Sequence, residues 1–389
     1  MSLSLSLSAA SGKPTRYTMS ATPNAAPAGP HNYSRVAFSA AHVVADPFSG
    51  VDPSKGAAID WDKTLAFRRH LLDLGLGIAE AMDTAQRGFG LDRNAALELI
   101  TRSLDAAAPA ERDRIFSGVG TDQLAPEDAR SLDDVIRAYA DQIEAVQKVG
   151  GRMILMASRA LARVGVSGDD YRFVYDRALG LADKPVILHW LGDMFDSSLK
   201  GYWGAHHFEE TLETALAIIH DNRSKVDGIK ISLLDAQKEG DMRRRLPEGV
   251  KMYTGDDFNC PELIKGDAQG YSHALLGIFD PIALAASAAL AALARGYIAE
   301  YDRLMAPTVP LSRFIFRAPT QFYKTGIVFL AYLNGYQDHF IMVGGAQSMR
   351  PLPYFVDIFK LANAADIFER PDLAAARMTA SLKHYGSDS

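Results

Sequence analysis

The sequence predicts an α/β fold: a (β/α)8 barrel of the TIM type followed by a C-terminal helical extension. Three observations carry this. From residue 34 to residue 280, short apolar runs alternate with longer amphipathic ones, the pattern of parallel strands joined by crossover helices. Seven strand-like runs and a candidate eighth fit a closed barrel better than a doubly wound sheet. No G-x-G-x-x-G follows the first run to signal a dinucleotide. Residues 281–389 read as almost wholly helical, more than one closing helix needs.

The elements follow in order. "SRVAFSAAHVV" (34–44) reads as a strand and "DKTLAFRRHLLDLG" (62–75) as a helix stopped by Gly75. "LGIAEAM" (76–82) is strand-like, "DRNAALELITRSLDAA" (92–107) helical, and "DRIFSGVG" (113–120) a strand running into a glycine-punctuated loop. The clearest helix carries Leu132, Val135, Ile136, Tyr139, Ile143 and Val146 at spacings of three and four. Ser131 and Asp134 cap its start and Gly150–Gly151 end it. "RMILMAS" (152–158), "KPVILHW" (184–190), "VDGIKIS" (226–232) and "VKMYTGDD" (250–257) continue the strands, and "GYSHALLGIFD" (270–280) supplies the eighth. "DDYRFVYDRALGLA" and "FEETLETALAIIHD" are the helices between them.

Composition excludes several functional classes. Apolar residues make up 48% and charged residues 23%, with a net charge of −6, the balance of a soluble protein with a sizeable core. The densest basic run, "MRRRLPEG" (242–249), is too short for a phosphate-backbone footprint, so no nucleic-acid partner is expected. A single cysteine, Cys260, rules out an intrachain disulfide and a cysteine-based zinc site, which fits a reducing cytoplasm. Residues 1–33 are rich in Ser, Ala and Pro without a continuous apolar core; they read as a disordered leader, with Met19 as another candidate initiator. "PIALAASAALAALARGYIAEY" (281–301) is rich in small residues and runs into Arg295 and Glu300, so it reads as a buried helix and not a membrane span.

One residue stands out against this pattern. In "VDGIKIS", Gly228, Lys230 and Ser232 share one face of the strand, while Ile229 and Ile231 share the other. The isoleucines suit the helix-facing side, which turns Lys230 toward the barrel interior near the C-terminal mouth, where enzymes of this architecture build their sites. Partial desolvation lowers a lysine pKa and yields the neutral amine a Schiff-base nucleophile needs. Periodicity alone leaves a second reading open: a stem packed at the strand end with its ammonium in water.

"VDGIKIS" resembles the Schiff-base lysine strand of the dihydrodipicolinate synthase and N-acetylneuraminate lyase family, where a short "GIK" segment carries the imine-forming lysine. The resemblance continues in order. "IFSGVGTD" (115–122), containing Ser117, is similar to the third-strand segment; "DKPVILHW" (183–190) resembles the fifth, "MYTGDD" (252–257) the seventh and "GYSHALLGIFD" the eighth. It implies a class I aldolase-type barrel with a helical C-terminal domain, no required cofactor, a small-molecule substrate and a homo-oligomer.

Departures from the family pattern bear on the chemistry. Where the family's fifth strand ends in a proton-relaying tyrosine, this chain has His189, an imidazole able to shuttle protons near neutral pH without a large pKa shift. A hydrogen-bonded structural histidine is the competing reading. Asp83 and Thr84 fall where the family grips a 2-keto acid carboxylate with a Thr-Thr pair. An aspartate there repels a carboxylate and accepts from hydroxyls, which points to a hydroxylated keto acid or keto-sugar derivative; Arg87 could restore anion binding from the same loop. No arginine lies between Trp190 and Asp221. An insertion holds Asp193, Asp196, Lys200, Tyr202, Trp203, His206 and His207 instead, with Tyr202 and Trp203 as candidates for a sugar-stacking lid and a surface loop as the alternative.

The expected function is therefore a Schiff-base-forming lyase, aldolase or dehydratase of carbohydrate metabolism. Lys230 would be the nucleophile and His189 the proton shuttle, with Asp83, Thr84, Ser117, Ser232, Asp256, Asp257, Tyr202 and Trp203 as substrate contacts. Two alternatives remain. His189, Asp193, His206, His207, Asp256, Asp257 and His273 would be ligands for a divalent metal in an isomerase or epimerase on the same barrel; or the barrel binds a small molecule without chemistry. In the tail, Lys324, Asn334, His339, Gln347 and Arg350 are candidates for reaching the site, with helix caps and surface pairs as the default.

Overall fold

Eight parallel strands close into the expected barrel in a computed structural model that describes residues 3–8, 14–20 and 32–386. An N-terminal hairpin of β1 (Leu3–Ser8) and β2 (Pro14–Met19) precedes them. The barrel strands are β3 (Ala37–Ala40), β4 (Gly77–Glu80), β5 (Ile115–Val119) and β6 (Arg152–Leu155), then β7 (Val186–Leu191), β8 (Val226–Ser232), β9 (Lys251–Thr254) and β10 (His273–Leu276). Each pairs in parallel with the next, and β10 returns to β3. Seven of the eight barrel strands fall inside the runs that predicted them, with β8 coinciding with "VDGIKIS", while β7 runs one residue past its predicted end to Leu191.

Period-two alternation divides the core into two layers. Phe38, Ala79, Phe116, Ile154, Ile187, Tyr253 and Leu275 fill the barrel interior. Ile115, Val119, Leu188, Ile229 and Ile231 face outward into the larger layer under the helices. Lys230 thus shares its face with the interior set, as alternation requires. The helix Leu132–Lys148 shows how the sequence codes its own ends: Ser131 accepts from the Asp134 N–H, and the Asp134 carboxylate accepts from the Ser131 N–H in return.

Beyond the barrel, helices Ala283–Ala294, Ile298–Met305, Thr308–Ile315, Tyr323–Asn334, Leu352–Ala364 and Pro371–His384 form the C-terminal region. No helix among the described residues is long and apolar enough to cross a membrane. Helix Tyr323–Asn334 is buried over most of its length and brings its first turn to the C-terminal mouth of the barrel, against residues 83–85.

The leader is a correction. Residues 3–8 and 14–20 are not disordered: β1 and β2 pair in antiparallel register, with Leu3 opposite Met19. Leu5, Leu7 and Met19 are buried, and β1 packs on helix Pro371–His384. The Ser20 N–H donates to Asn363 Oδ1 at 3.0 Å. Positions 1–2, 9–13 and 21–31 of the proposed leader lie outside the described residues. A chain started at Met19 loses β1 and all of β2 but Met19, including two buried leucines worth about 1.5–3 kcal/mol each. Thermal denaturation of that truncated chain should show a Tm several degrees below full length, and an unchanged Tm would contradict the hairpin's structural role.

Candidate active site

Lys230 lies near the C-terminal end of β8, opposite His189 of β7 on one side and Tyr253 of β9 on the other. It is 7% exposed. Among the described residues its ammonium has no hydrogen bond or ion pair within reach. Burial lowers its pKa from the usual lysine value, while the carboxylates of Asp83 and Asp257 pull the other way. The side chain is therefore buried and desolvated, and is not a stem with its ammonium in bulk water.

The space in front of it has two compartments. The smaller is lined by Lys230, Ser232, Asp257, Thr84, Tyr323 and Phe316, and holds about one water molecule. The larger, a cavity of about 360 Å³, opens beside it across Asp83 and Leu191, which line both. Its walls carry His189, Thr121 and two ion pairs. Arg87 Nη2 meets Asp122 at 2.8 Å, and Arg159 Nε meets Asp196 at 2.5 Å.

Asp257 differs most from its sequence-based role. It is buried beside Lys230, and its Oδ1 accepts the Ile278 N–H at 2.8 Å. Burial pushes its pKa up to about 7, against the pull of that hydrogen bond and of Lys230. His189 moves the opposite way. Burial, reinforced by the Lys230 charge, drives its pKa well below the ordinary 6.5. It is held as a neutral imidazole, which corrects the expectation of a histidine titrating near neutrality. Its Nε2 lies 3.4 Å from Ser232 Oγ, and its Nδ1 is buried with no protein partner.

Thr84 Oγ1 lies 2.9 Å from the hydroxyl of Tyr323, whose ring stacks on Phe316 at 4.4 Å. Tyr323 was not singled out by the sequence; it arrives from the C-terminal helices, next to Lys324. Lys324 is itself buried, its ammonium 4.5 Å over the Phe89 ring. Burial brings its pKa down to about 8, with Asp83 opposing that shift. One carboxylate, Asp83, thus stands electrostatically close to two desolvated amines.

Other expected contacts do not reach the mouth. Ser117 shares the outward face of β5 with Ile115 and Val119, because Phe116 points inward. Asp256 is engaged in the turn after β9, accepting from the N–H groups of Phe258 and Asn259 and from Asn259 Nδ2. Tyr202 and Trp203 are no lid. Tyr202 accepts the Ser158 N–H at 3.0 Å and meets the Tyr175 hydroxyl at 3.0 Å; Trp203 is fully buried 4.9 Å from the Tyr175 ring. Gly204 (φ +81°) presses this turn inward, since a Cβ there would sit 2.3 Å from the Ser167 carbonyl carbon. Only the first part of the insertion, Phe195, Asp196 and Leu199, reaches the cavities.

Arg87 is fully engaged by Asp122, Gln142 and the Gly118 carbonyl, so it offers little charge to a ligand. The proposed metal ligands are not brought together. His273 begins β10 at the opposite end of the barrel, and Asp193, His206 and His207 are exposed. Among the described residues no three His, Cys, Asp or Glu side chains form a metal-binding group. In the tail, Asn334, His339, Gln347 and Arg350 bind backbone groups, leaving Lys324 as the one of the five at the site.

Buried acids give the protein a pH signature. Glu239 accepts from Ser272 Oγ at 2.7 Å, and burial raises its pKa to about 8. A carboxyl whose folded pKa exceeds its unfolded value stabilises fully below the unfolded pKa and loses that contribution as pH rises through the folded one. The Tm of wild type relative to Glu239→Gln should therefore fall between pH 4.5 and about pH 8 and level off above that. A pH-independent difference in differential scanning would contradict this.

Comparisons with known proteins agree with the fold. The model of the family described as "Protein of unknown function (DUF993)" matches residues 5–387. No curated protein matches the sequence. Among solved structures, the chain is similar to the chloride-inhibited dihydrodipicolinate synthase from Acinetobacter baumannii complexed with pyruvate. That match has a TM-score of 0.63 and 15% identity over 86% of this chain and 99% of the other. The enzyme from Aquifex aeolicus gives 0.60 and 11% over 91% and 98%, and that from Bacillus clausii 0.59 and 14% over 85% and 98%. At such identities the likeness establishes the shared fold.

Proposed function

We propose, for a chain that belongs to the DUF993 family, a class I Schiff-base lyase acting on a hydroxylated keto acid or keto-sugar derivative. The observation that carries this is Lys230: a buried amine without a hydrogen-bond or ion-pair partner among the described residues, at the C-terminal end of a barrel, facing a small pocket beside a larger cavity. Such a group is costly to keep unless its reactivity is used.

In the proposed reaction the neutral Lys230 amine attacks the substrate carbonyl carbon, forming the C–N bond. Asp257, protonated below about pH 7, gives its proton to the departing carbinolamine oxygen, which leaves as water. In a C–C cleavage the resulting iminium takes up the electron pair of the breaking bond; in a C–O cleavage it first acidifies the α-carbon, whose C–H pair forms the enamine that expels the β-hydroxyl together with the C–O pair. In a C–C cleavage, the hydroxyl proton released on the leaving fragment passes to neutral His189, on the wall of the larger cavity. The proton on His189 then passes to the enamine carbon, and water hydrolyses the imine, its released proton returning to Asp257 as the Lys230 amine is restored. The pair Arg159–Asp196 offers donors and acceptors side by side, which suits a chain of hydroxyls better than a lone carboxylate.

Borohydride reduction in the presence of a panel of hydroxylated keto acids and ketoses tests this: a mass adduct on the intact chain is expected, and no adduct across the panel would contradict it. Asp83 sharpens the test. Because its carboxylate holds the Lys230 pKa up, Asp83→Asn should shift the rising limb of trapping rate against pH to lower pH. An unshifted limb would remove Asp83 from the account.

A further inference from the structure

The end of the barrel opposite Lys230 contains a second cavity, of about 330 Å³. Function in this architecture is built at the C-terminal mouth, so a reaction at Lys230 leaves this space unexplained. Its walls carry four cations, Arg35, Arg114, Arg152 and Lys251, against two carboxylates, Asp113 and Asp227. Asp227 is already engaged: its carboxylate accepts from Lys251 Nζ at 2.9 Å and from the Tyr253 hydroxyl at 2.7 Å. Asp113 is exposed at the rim.

The arginines are left with poor charge partners. Arg152 Nη2 is 3.5 Å from Asp227, its Nε is buried without a partner, and its guanidinium lies 4.1 Å over the Phe116 ring. Arg114 makes only long contacts, at 3.4 Å to the Leu72 carbonyl and 3.5 Å to Glu111. Arg35 donates to the carbonyls of Ile264 and Lys265. The surplus is felt nearby: after burial, the charges of Lys251 and Arg35 help bring the His273 pKa down to about 4. Between these cations the floor is aromatic, made by Phe38, Phe116 and Tyr253. Gly77 keeps it open to the Phe38 ring, which a Cβ would meet at 2.5 Å.

We propose that this N-terminal mouth is a second binding site, for a small carboxylate with an apolar or aromatic body. The guanidinium forks take the carboxylate and the rings take the body, so no covalent step is involved. The site is separate from the one assigned to Lys230 and does not depend on that reading.

Calorimetric titration of the full chain at low ionic strength tests it, with benzoate, acetate and inorganic phosphate as probes. Saturable binding of one benzoate per chain is expected, tighter than acetate or phosphate. It should weaken about tenfold or more in Arg152→Gln and in Arg114→Gln, and persist in Lys230→Ala. Arg114 is partly exposed, so its variant keeps the test alive should Arg152→Gln fail to fold. Absence of saturation, equal affinity in both arginine variants, or loss of binding in Lys230→Ala would each overturn the site. Phosphate binding as tightly as benzoate would overturn the ligand class.

Discussion

Lys230→Ala should reduce turnover to background, a loss of about three orders of magnitude or more, and abolish borohydride-dependent labelling. The same substitution should raise the Tm, because it removes an amine whose charge burial penalises and that no group among the described residues pairs. Lost activity with gained stability is the signature of a reactive group held at a cost to folding. A structural lysine would lose both together. Lys230→Arg should be as inactive as the alanine variant, since a guanidinium stays protonated and forms no imine.

Asp257→Asn carries the second large effect, a fall in kcat of about 10²–10⁴-fold. Asparagine retains an acceptor for the Ile278 N–H, so the backbone contact after β10 should survive. The pH profile gives the more specific readout. As an acid, Asp257 is competent when protonated, so wild-type kcat should fall as pH rises through about 7. That limb should be absent from the residual activity of Asp257→Asn. A limb that persists would assign the titration to another group, such as Glu369 at about 7 or Glu239 and Lys324 at about 8.

The barrel was legible because alternation in each strand is a local signal. Ile229 and Ile231 bracketing Lys230 suffice to turn the lysine inward, and the structure places all three accordingly. The hairpin carried the same signal. "LSLSLS" alternates with period two, but its composition reads as low complexity, and the helix that supports it, Pro371–His384, lies at the far end of the chain. Asp256 and Asp257 were indistinguishable by type, and only the turn after β9 sends one to cap backbone and the other to Lys230. Ser117 failed for a simpler reason, since the inward position on β5 belongs to Phe116.

Tyr202 and Trp203 were misjudged because glycines beside aromatics suggest a mobile lid, whereas here they permit a tight buried turn. Tyr323 was hidden by distance, and Lys324 could not be told from the other four tail candidates: nothing within the helix Tyr323–Asn334 says that its first turn faces Asp83 and Thr84. Arg159 had a readable cue in its place just beyond the C-terminal end of β6, where barrel sites are built.

Two desolvated amines, Lys230 and Lys324, stand electrostatically near the same Asp83, so the site of covalent attachment is the decisive fact. Peptide mapping by mass spectrometry after borohydride reduction with a trapped ketone reads it directly. The account predicts the reduced adduct on the peptide containing Lys230, with Lys324 unmodified. An adduct on Lys324, or substrate turnover with no adduct on either lysine, would contradict it.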